Sequence, residues 1–215
     1  MKEDLIQEAL RLEQQTGKKK PNLPGYEIIE VFNVDEVEGF IAKKKDWLYI
    51  AFHHTDSFKD ALNDIRAKKI AHFEVGIRIH RGFLRCYEKV ANKIYNGLLR
   101  NDVDNILITG HSMGAAIATI CAYDLSETYC KLNAYCITTG SPRVGNYKFR
   151  REFNKAFKGN AIRLVNGNDI VAQLPPWWLL YFHCGKLERI GKHKWWRFWG
   201  STKDHDKQRY VENKR

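Results

Sequence analysis

The sequence lacks a long hydrophobic run. A transmembrane helix needs about 20 consecutive apolar residues, whereas the run near the C-terminus at 177–182, WWLLYF, has only six. Residues 1–20 are polar and charged where a secretory signal needs an uninterrupted apolar stretch. We therefore expect no signal peptide and no membrane span, and a cytoplasmic location that allows peripheral contact with membranes.

Cysteine is scarce and irregularly placed. The five cysteines are odd in number and show none of the paired spacings that bind zinc. In a chain without an export signal, this pattern is typical of free thiols in a reducing compartment. We expect no disulfide, no metal and no cofactor.

Acidic residues are outnumbered by basic ones. The 215 residues include 36 Lys and Arg and 25 Asp and Glu, which gives a formal net charge of +11. This charge attracts polyanions and anionic membrane surfaces without choosing between them. The length allows one sizeable α/β domain and is short for two. We predict a single domain over residues 1–215, with a helix and loop arm at 1–25 and the core at 26–211.

Strand and helix patterns alternate along the core. Three short apolar or alternating runs between residues 26 and 52 predict a meander of strands. A helical stripe begins at residue 83, and the order strand, helix, strand, helix, strand follows up to residue 165. This alternation predicts an α/β sheet with parallel strands.

Ser112 lies between two glycines in ITGHSMGAAIATICAYD, after an apolar strand and before a helix. A Gly-x-Ser-x-Gly turn of this kind holds a nucleophilic serine in strained backbone geometry, with its hydroxyl projecting. The alternative is a serine that only caps the helix N-terminus, where serine is favoured. The strand before Ser112 and the helix after it favour the nucleophile.

A nucleophilic serine needs a general base, normally a histidine that a carboxylate orients. In one common arrangement the carboxylate and then the histidine follow the serine along the chain. Asp169 lies just beyond a predicted strand, at the edge where open α/β sheets build their sites; an Asx turn is the alternative. Three histidines compete as the base, namely His183, His193 and His205.

Four ordered segments resemble the successive motifs of the class 3 lipases, α/β-hydrolases that include fungal triacylglycerol lipases and many plant acylhydrolases. These segments are IHRGFLRCYEKV, ITGHSMGAAIATICA, ITTGSPRVGNYKF and RLVNGNDIVAQLPP. The resemblance spans residues 47–211. It implies an α/β-hydrolase fold, in which helices flank a mostly parallel central sheet.

The resemblance also implies roles for three residues. Ser112 falls on the nucleophile of the family, Asp169 on the triad acid, and His205 on the terminal Asp-His motif that supplies the base. His183 lies in a segment that resembles the strand after the LPP turn, where the histidine is ordinarily not catalytic. The resemblance therefore favours His205 over His183 as the general base.

The sequence departs from the family after the third predicted strand. The family usually has Phe-Arg-Gly followed by Thr or Ser, whereas AFHHTD places His53 and His54 at the Arg-Gly positions. Thr55 keeps the hydroxyl that would donate to the oxyanion, and the backbone N–H of Met113 would supply a second donor. The alternative is an altered loop that weakens or abolishes catalysis.

The interval IRAKKIAHFEVGIRI is short and basic where lid-bearing members of the family carry an amphipathic helix. We predict a short or absent lid. An open site of this kind suits soluble, monomeric or headgroup-bearing esters better than a triglyceride droplet.

Aromatic and basic residues are interleaved near the C-terminus, where five of the six tryptophans fall. Such mixtures suit the interfacial zone of a bilayer, so we predict that Trp195, Trp196 and Trp199 face the substrate or a membrane. For Trp177 and Trp178, core packing and the interface are both open. Similar surfaces bind single-stranded nucleic acid, but no nucleic-acid module is recognisable and no such partner is expected.

Together these observations predict a serine hydrolase that cleaves carboxylic esters of acyl lipids, of lipase or phospholipase type, through a Ser-His-Asp triad and an acyl-enzyme. The expected partners are an acyl lipid or small ester substrate and an anionic membrane. One alternative is a catalytically weak or silent α/β-hydrolase domain that binds anionic membranes or other polyanions. The other is a lipid acyltransferase that uses the same triad.

Overall fold

The structure is a computed structural model that describes residues 2–54, 69–71, 73–129, 132–192 and 200–214. Thr55, Trp195, Trp196 and Trp199 lie outside the described residues, as does His193. Residues 65–68 and 72 of the interval in which the sequence predicts a short or absent lid, and residues 55–64 before it, are also outside them, so that expectation stays a prediction.

A seven-stranded sheet forms the centre of the molecule. The described residues form this sheet and a separate two-stranded ribbon from the strands β1 (Glu27–Val34), β2 (Val37–Lys44), β3 (Trp47–His54), β4 (Lys69–Ala71), β5 (Arg78–His80), β6 (Asn105–His111), β7 (Asn133–Thr139), β8 (Ala161–Asn166) and β9 (Lys186–Ile190). The sheet order is β1-β2-β3-β6-β7-β8-β9, and β4 pairs with β5 in a separate ribbon. Within the seven-stranded sheet, β1 to β3 form the predicted antiparallel meander, and the pairings β3–β6, β6–β7, β7–β8 and β8–β9 are parallel. The β4–β5 ribbon is antiparallel.

Helices cover both faces of this sheet. They are α1 (Lys2–Glu13), α2 (Arg81–Leu99), α3 (Met113–Thr128), α4 (Tyr147–Phe157) and α5 (Lys207–Lys214). Side chains alternate across a strand, so Ile106 and Ile108 of β6 pack with α2, α3 and α4, while Leu107 packs with α1 and α5. The result is the predicted mostly parallel sheet between two helical layers.

The N-terminal helix is part of this packing. Its spacing of apolar residues gives one buried stripe, which includes Leu5, Ile6 and Leu12. The stripe joins the same hydrophobic cluster as Tyr210 and Val211 of α5. Residues 2–13, the first half of the predicted arm, therefore form a layer of the core under the central strands.

Small residues bring α3 against the sheet. Ala115, Ala116 and Ala118 are fully buried, and a Cβ on Gly114 would lie 2.6 Å from the carbonyl oxygen of Phe52 in β3. A larger residue at Gly114 would push the helix away from the strand. None of the helices in the described ranges has the length and apolar composition that a bilayer crossing requires.

Candidate active site

Ser112 lies on the sharp turn between β6 and α3. Its backbone has φ 59° and ψ −125°, a region that residues other than glycine rarely occupy and that functional sites often hold under strain. The turn is so tight that a Cβ on Gly110 would lie 2.4 Å from the carbonyl oxygen of Gly114. The Ser112 side chain makes no capping hydrogen bond with α3, so its hydroxyl is directed to another partner.

That partner is His205. Its Nε2 lies 2.8 Å from Ser112 Oγ, and its Nδ1 lies 3.0 and 2.9 Å from the two carboxylate oxygens of Asp169. The structure thus brings together three residues that are 93 and 36 positions apart in the sequence. A carboxylate at Nδ1 favours the tautomer with a proton on Nδ1, which leaves a lone pair on Nε2 for the serine proton.

Asp169 is held in a turn beyond the end of β8. Its side chain is 0% exposed, against 12% for His205. Besides His205, the carboxylate accepts hydrogen bonds from the Val171 N–H at 2.8 Å and from the Tyr210 hydroxyl. The Val171 bond is the local one that the Asx-turn alternative expects, and it coexists with the bond to His205. These donors satisfy a carboxylate that would otherwise be costly to bury.

Two residues that support this arrangement carry no role in the sequence analysis. Tyr210 reaches Asp169 from α5, five positions after His205. Gly140 follows β7 with φ +58°, and a Cβ there would lie 2.9 Å from Asp169 Oδ2 and 3.0 Å from His205 Nδ1. A glycine directly after a buried strand is a signal that could have pointed to this position.

His111, the residue before Ser112, packs against His205. The two ring centroids are 4.6 Å apart and the planes are inclined by 26°. His111 Nδ1 lies 2.9 Å from the hydroxyl of Thr139. Burial lowers the pKa of His111 well below the usual value, and positive charge on His205 or Lys207 lowers it further, while a hydrogen bond to the backbone of His205 acts to raise it. His111 therefore presents a neutral ring to His205.

His183 lies in a different environment. Its Nε2–H donates to the carbonyl oxygen of Ala172 at 2.9 Å. Burial, and then the charges of Arg163 and Arg143, lower the pKa of His183 well below the usual value. Among the two candidate histidines that the structure describes, His205 is the one in hydrogen-bond contact with Ser112.

The surroundings of Met113 suit an oxyanion. Met113 begins α3, so its backbone N–H has no acceptor within the helix. A Cβ on Gly114 would lie 3.2 Å from the Cα of His53, so the end of β3 closely approaches the turn although two histidines stand there. Burial lowers the pKa of His53 to about 4, with contributions from Lys207 and His54.

A cleft of about 540 Å³ opens beside Met113, which is within the usual size of ligand pockets. Its lining includes the end of β3 at His54 and the first turns of α2. Charged residues of both signs contribute to the wall, namely Asp35, Glu36, Arg81, Arg85 and Lys89. The cleft beside Met113, the residue after Ser112, is therefore polar as well as apolar.

Four consecutive apolar residues, Trp177 to Leu180, form an exposed surface that we call the aromatic ridge. Trp177 and Trp178 are 69% and 65% exposed, so they do not fill the core. The ring of Tyr181, the next residue, lies 5.6 Å from the ring of His80, which lines the cleft. The residue that follows the ridge therefore contacts the wall of the cleft beside Met113.

The described residues contain neither a candidate metal site nor a disulfide. No group of three or more His, Cys, Asp or Glu side chains in those ranges is arranged to hold a metal ion. Four of the five cysteines are described, and all four are free thiols.

Comparison with known proteins adds three findings. The family model for "Lipase (class 3)" matches residues 49–178, more than half of the chain. A lipase of Rhizopus niveus is 30% identical over 178 residues, covering 76% of this chain and 44% of that protein. A chloroplastic phospholipase A(1) of Arabidopsis thaliana is 32% identical over 112 residues, covering 46% and 25%. The chain thus spans less than half the length of these relatives.

The fold is also similar to solved structures. Lipase II from Rhizopus niveus superposes with a TM-score of 0.72 at 29% identity, covering 78% of this chain and 67% of that one. The sheet and the helices around Ser112 are therefore arranged as in that enzyme.

Proposed function

The chain belongs to the class 3 lipase family, and from that premise we propose that it hydrolyses carboxylic esters of acyl lipids. Membership confirms the predicted family, and the structural similarity confirms the predicted α/β-hydrolase fold. The observation that carries the proposal is the 2.8 Å contact between Ser112 Oγ and His205 Nε2, with Asp169 on the other ring nitrogen.

The first half of the reaction acylates Ser112. His205 Nε2 takes the hydroxyl proton while Ser112 Oγ attacks the ester carbonyl carbon, and the carbonyl oxygen becomes an oxyanion. Asp169 stabilises the imidazolium that forms, since both its oxygens lie within 3.0 Å of Nδ1. When the tetrahedral intermediate collapses, the bond to the alcohol breaks and His205 returns the proton to the leaving oxygen.

The second half releases the acyl group. Water takes the place of the alcohol, His205 accepts one of its protons, and the acid leaves Ser112 with its hydroxyl restored. In both halves the N–H of Met113, at the start of α3, would donate to the oxyanion. We propose Thr55 as the second donor, on the grounds that it follows His54 directly and the end of β3 approaches the turn.

The substrate class follows from the relatives and from the cleft. The relatives carry the names lipase and phospholipase A(1), which supports an acyl ester. The cleft beside Met113 carries charged side chains, so an ester whose alcohol part is polar or carries a headgroup suits it better than a purely apolar one.

We also propose peripheral contact with anionic membranes. The aromatic ridge exposes two tryptophans, the residue after it contacts the wall of the cleft, and the net charge of +11 favours an anionic surface. Trp195, Trp196 and Trp199 remain predicted as further contributors. A cytoplasmic location, with no nucleic-acid partner, also remains a proposal; the four free thiols support a reducing compartment.

A lipid-panel assay tests the proposed function. The purified chain and its Ser112→Ala variant are incubated with p-nitrophenyl esters, neutral glycerides, and anionic and zwitterionic phospholipids. We expect release of acyl groups by the wild type alone, and labelling of the wild type alone by a fluorophosphonate. Equal labelling of Ser112→Ala would contradict the assignment.

The same assay separates the two alternatives. Absence of turnover on every ester, together with salt-sensitive binding to anionic vesicles, would favour the catalytically silent domain. Product analysis in the presence of an acceptor alcohol would reveal the acyltransferase, because the acyl group would then appear as a new ester instead of a free acid.

A further inference from the structure

A buried carboxylate lies beneath the turn that carries Ser112. Glu13, the last residue of α1, is 1% exposed. Its two oxygens accept hydrogen bonds from the hydroxyls of Thr109 at 2.7 Å and Thr139 at 2.6 Å. Thr109 belongs to β6 and Thr139 ends β7. Carboxylates are seldom buried this completely, so one in contact with the two strands behind the nucleophile calls for an explanation.

Thr139 connects this carboxylate to the catalytic pair. Its Oγ1 lies 2.9 Å from His111 Nδ1, and the His111 ring lies against the ring of His205 with centroids 4.6 Å apart. The backbone carbonyl of Thr139 also accepts the N–H of Ser112 at 3.0 Å. Three contacts therefore lead from Glu13 to His205.

The single hydroxyl hydrogen of Thr139 determines which group donates in the hydrogen bonds that join Glu13, Thr139 and His111. Thr139 has one hydroxyl hydrogen and two neighbours, Glu13 and His111. An ionised Glu13 can only accept, so Thr139 donates to it and His111 Nδ1–H must donate to Thr139. The neutral ring then has no second hydrogen to donate to its other partner, the backbone of His205. A protonated Glu13 can donate to Thr139, which then donates to His111 Nδ1. The protonation state of Glu13 is thus coupled to the position of the proton on His111.

The surroundings of Glu13 raise its pKa, so the Glu13 carboxyl loses its proton close to neutral pH. Burial raises the pKa of Glu13 to about 7, although its hydrogen bonds and the charge of Lys207 act to lower this pKa. Lys207 and Tyr210 of α5 interact electrostatically with Glu13. His111 of β6 is separated from Glu13 by the Thr139 hydroxyl, and His53 of β3 interacts with Lys207. Burial lowers the pKa of both histidines and raises that of the tyrosine, so these three stay neutral and Glu13 is the group that titrates.

We propose that Glu13 is a positioning residue for His205 and acts through Thr139 and His111. The proposal rests on the proposed function of Ser112 and His205. Ionised Glu13 fixes the tautomer of the ring on which His205 rests. It also places a buried negative charge behind that neutral ring, which favours the imidazolium form that His205 adopts during catalysis.

Two substitutions with a matched control test the role. Glu13→Gln keeps the shape but removes the charge, and Thr139→Val keeps the shape but interrupts the connection. Thr109→Val removes a hydrogen bond to the same carboxylate without touching His111. At pH 8 we expect the first two to lower kcat about tenfold with KM within about twofold, and Thr109→Val to stay within about threefold of the wild type. Thermal unfolding shows whether each variant is folded.

The pH dependence distinguishes positioning from a structural role. The loss in Glu13→Gln is expected to shrink to about threefold at pH 6, where Glu13 of the wild type is itself mostly protonated. A loss of the same size at both pH values, or a loss equal to that of Thr109→Val, would overturn the proposal.

A second readout does not depend on turnover. The ¹⁵N chemical shifts of the His111 ring are expected to show the proton on Nδ1 in the wild type at pH 8 and a redistribution between the nitrogens in Glu13→Gln. Identical shifts would overturn the proposal. If the wild type hydrolyses no ester, the proposed function fails, whereas the nitrogen shifts still decide whether Glu13 controls His111.

Discussion

Gly140 and His205 are in such close contact that a Cβ on Gly140 would lie 3.0 Å from Nδ1 of the His205 ring. The bond between His205 and Asp169 therefore occupies the space that any other residue at position 140 would need. Gly140 also has φ +58°, a backbone conformation that glycine adopts at low cost.

Gly140→Ala is expected to lower kcat/KM on a soluble ester by about 100-fold or more, because His205 must move away from Asp169 or Ser112. Gly159→Ala is the matched control, since Gly159 has φ +94° with open space around its Cα. The control should lose stability but retain wild-type kcat/KM. Equal activity of the two variants would show that the contact between Gly140 and His205 is unimportant.

Tyr210→Phe removes one hydrogen bond to Asp169 and leaves the buried ring in place. We expect kcat to fall about tenfold, because the carboxylate is then less firmly oriented toward His205. Tyr95→Phe also removes a hydroxyl that donates to a carboxylate, that of Asp124 at 2.7 Å, outside the site. A fall in kcat of the same size in both variants would argue against a role for Tyr210 in the site.

His183→Gln and His205→Gln distinguish the two described histidines. His205→Gln is expected to lower kcat by about 10⁴-fold, as loss of a triad base does. His183→Gln should keep kcat within about threefold, since His183 bonds the Ala172 carbonyl and not Ser112. Steady-state kinetics on a p-nitrophenyl ester measures both. Loss of activity in His183→Gln alone would reverse the assignment.

Trp177→Ser combined with Trp178→Ser is expected to weaken binding to anionic vesicles about tenfold or more. Because neither ring lines the cleft, kcat/KM on a soluble short-chain ester should not change. Leu99→Ser is the control, since Leu99 is 74% exposed at the far end of α2. Vesicle co-sedimentation at two salt concentrations makes the comparison; equal binding of all variants would exclude the aromatic ridge as a membrane contact.

The raised pKa of Glu13 has a consequence for stability. Burial raises it from 4.5 in the unfolded chain to about 7 in the folded one, so the folded state favours the protonated form. The stabilisation is full below pH 4.5 and is lost as pH rises through 7, by on the order of 3 kcal/mol. Glu13→Gln should therefore gain free energy of unfolding relative to the wild type between pH 5 and pH 8. Denaturant titrations at these two pH values measure it; a constant difference would show that Glu13 does not titrate in this range.

The local sequence predicts the turn at Ser112 well and the residues that contact Ser112 in space less well. The turn at Ser112 follows from residues that adjoin it, because the two glycines, the strand and the helix all lie within one short segment. Asp169 follows from its place at the end of a strand. The choice of His205 needed the family resemblance, because the residues around each of the three downstream histidines do not predict how far that histidine lies from Ser112 in space.

The supporting residues were not predictable for a related reason. Glu13, Thr139 and Tyr210 come from three different elements and meet only because α1 and α5 pack beneath the sheet. Glu13 ends a helix, Thr139 ends a strand and Tyr210 lies on a helix face. Nothing in the sequence around each of them distinguishes it from other residues at such positions. For Trp177 and Trp178, composition alone could not separate the core from the surface, and the structure places both rings in solvent.

The contact between α1 and α5 has a consequence for folding. Lys207 Nζ donates to the carbonyl oxygen of Glu13 at 3.0 Å across 194 positions, and Lys214 pairs with Glu3 at 3.1 Å. Such distant contacts close large loops, which carries an entropic cost. α5 follows His205, and α1 ends at Glu13, which is connected to His111 through Thr139. Both helices must pack against the sheet for Ser112, His205 and Asp169 to lie at hydrogen-bond distance. The geometry of the Ser112 site therefore depends on the packing of α1 against α5 as well as on the strand order of the sheet.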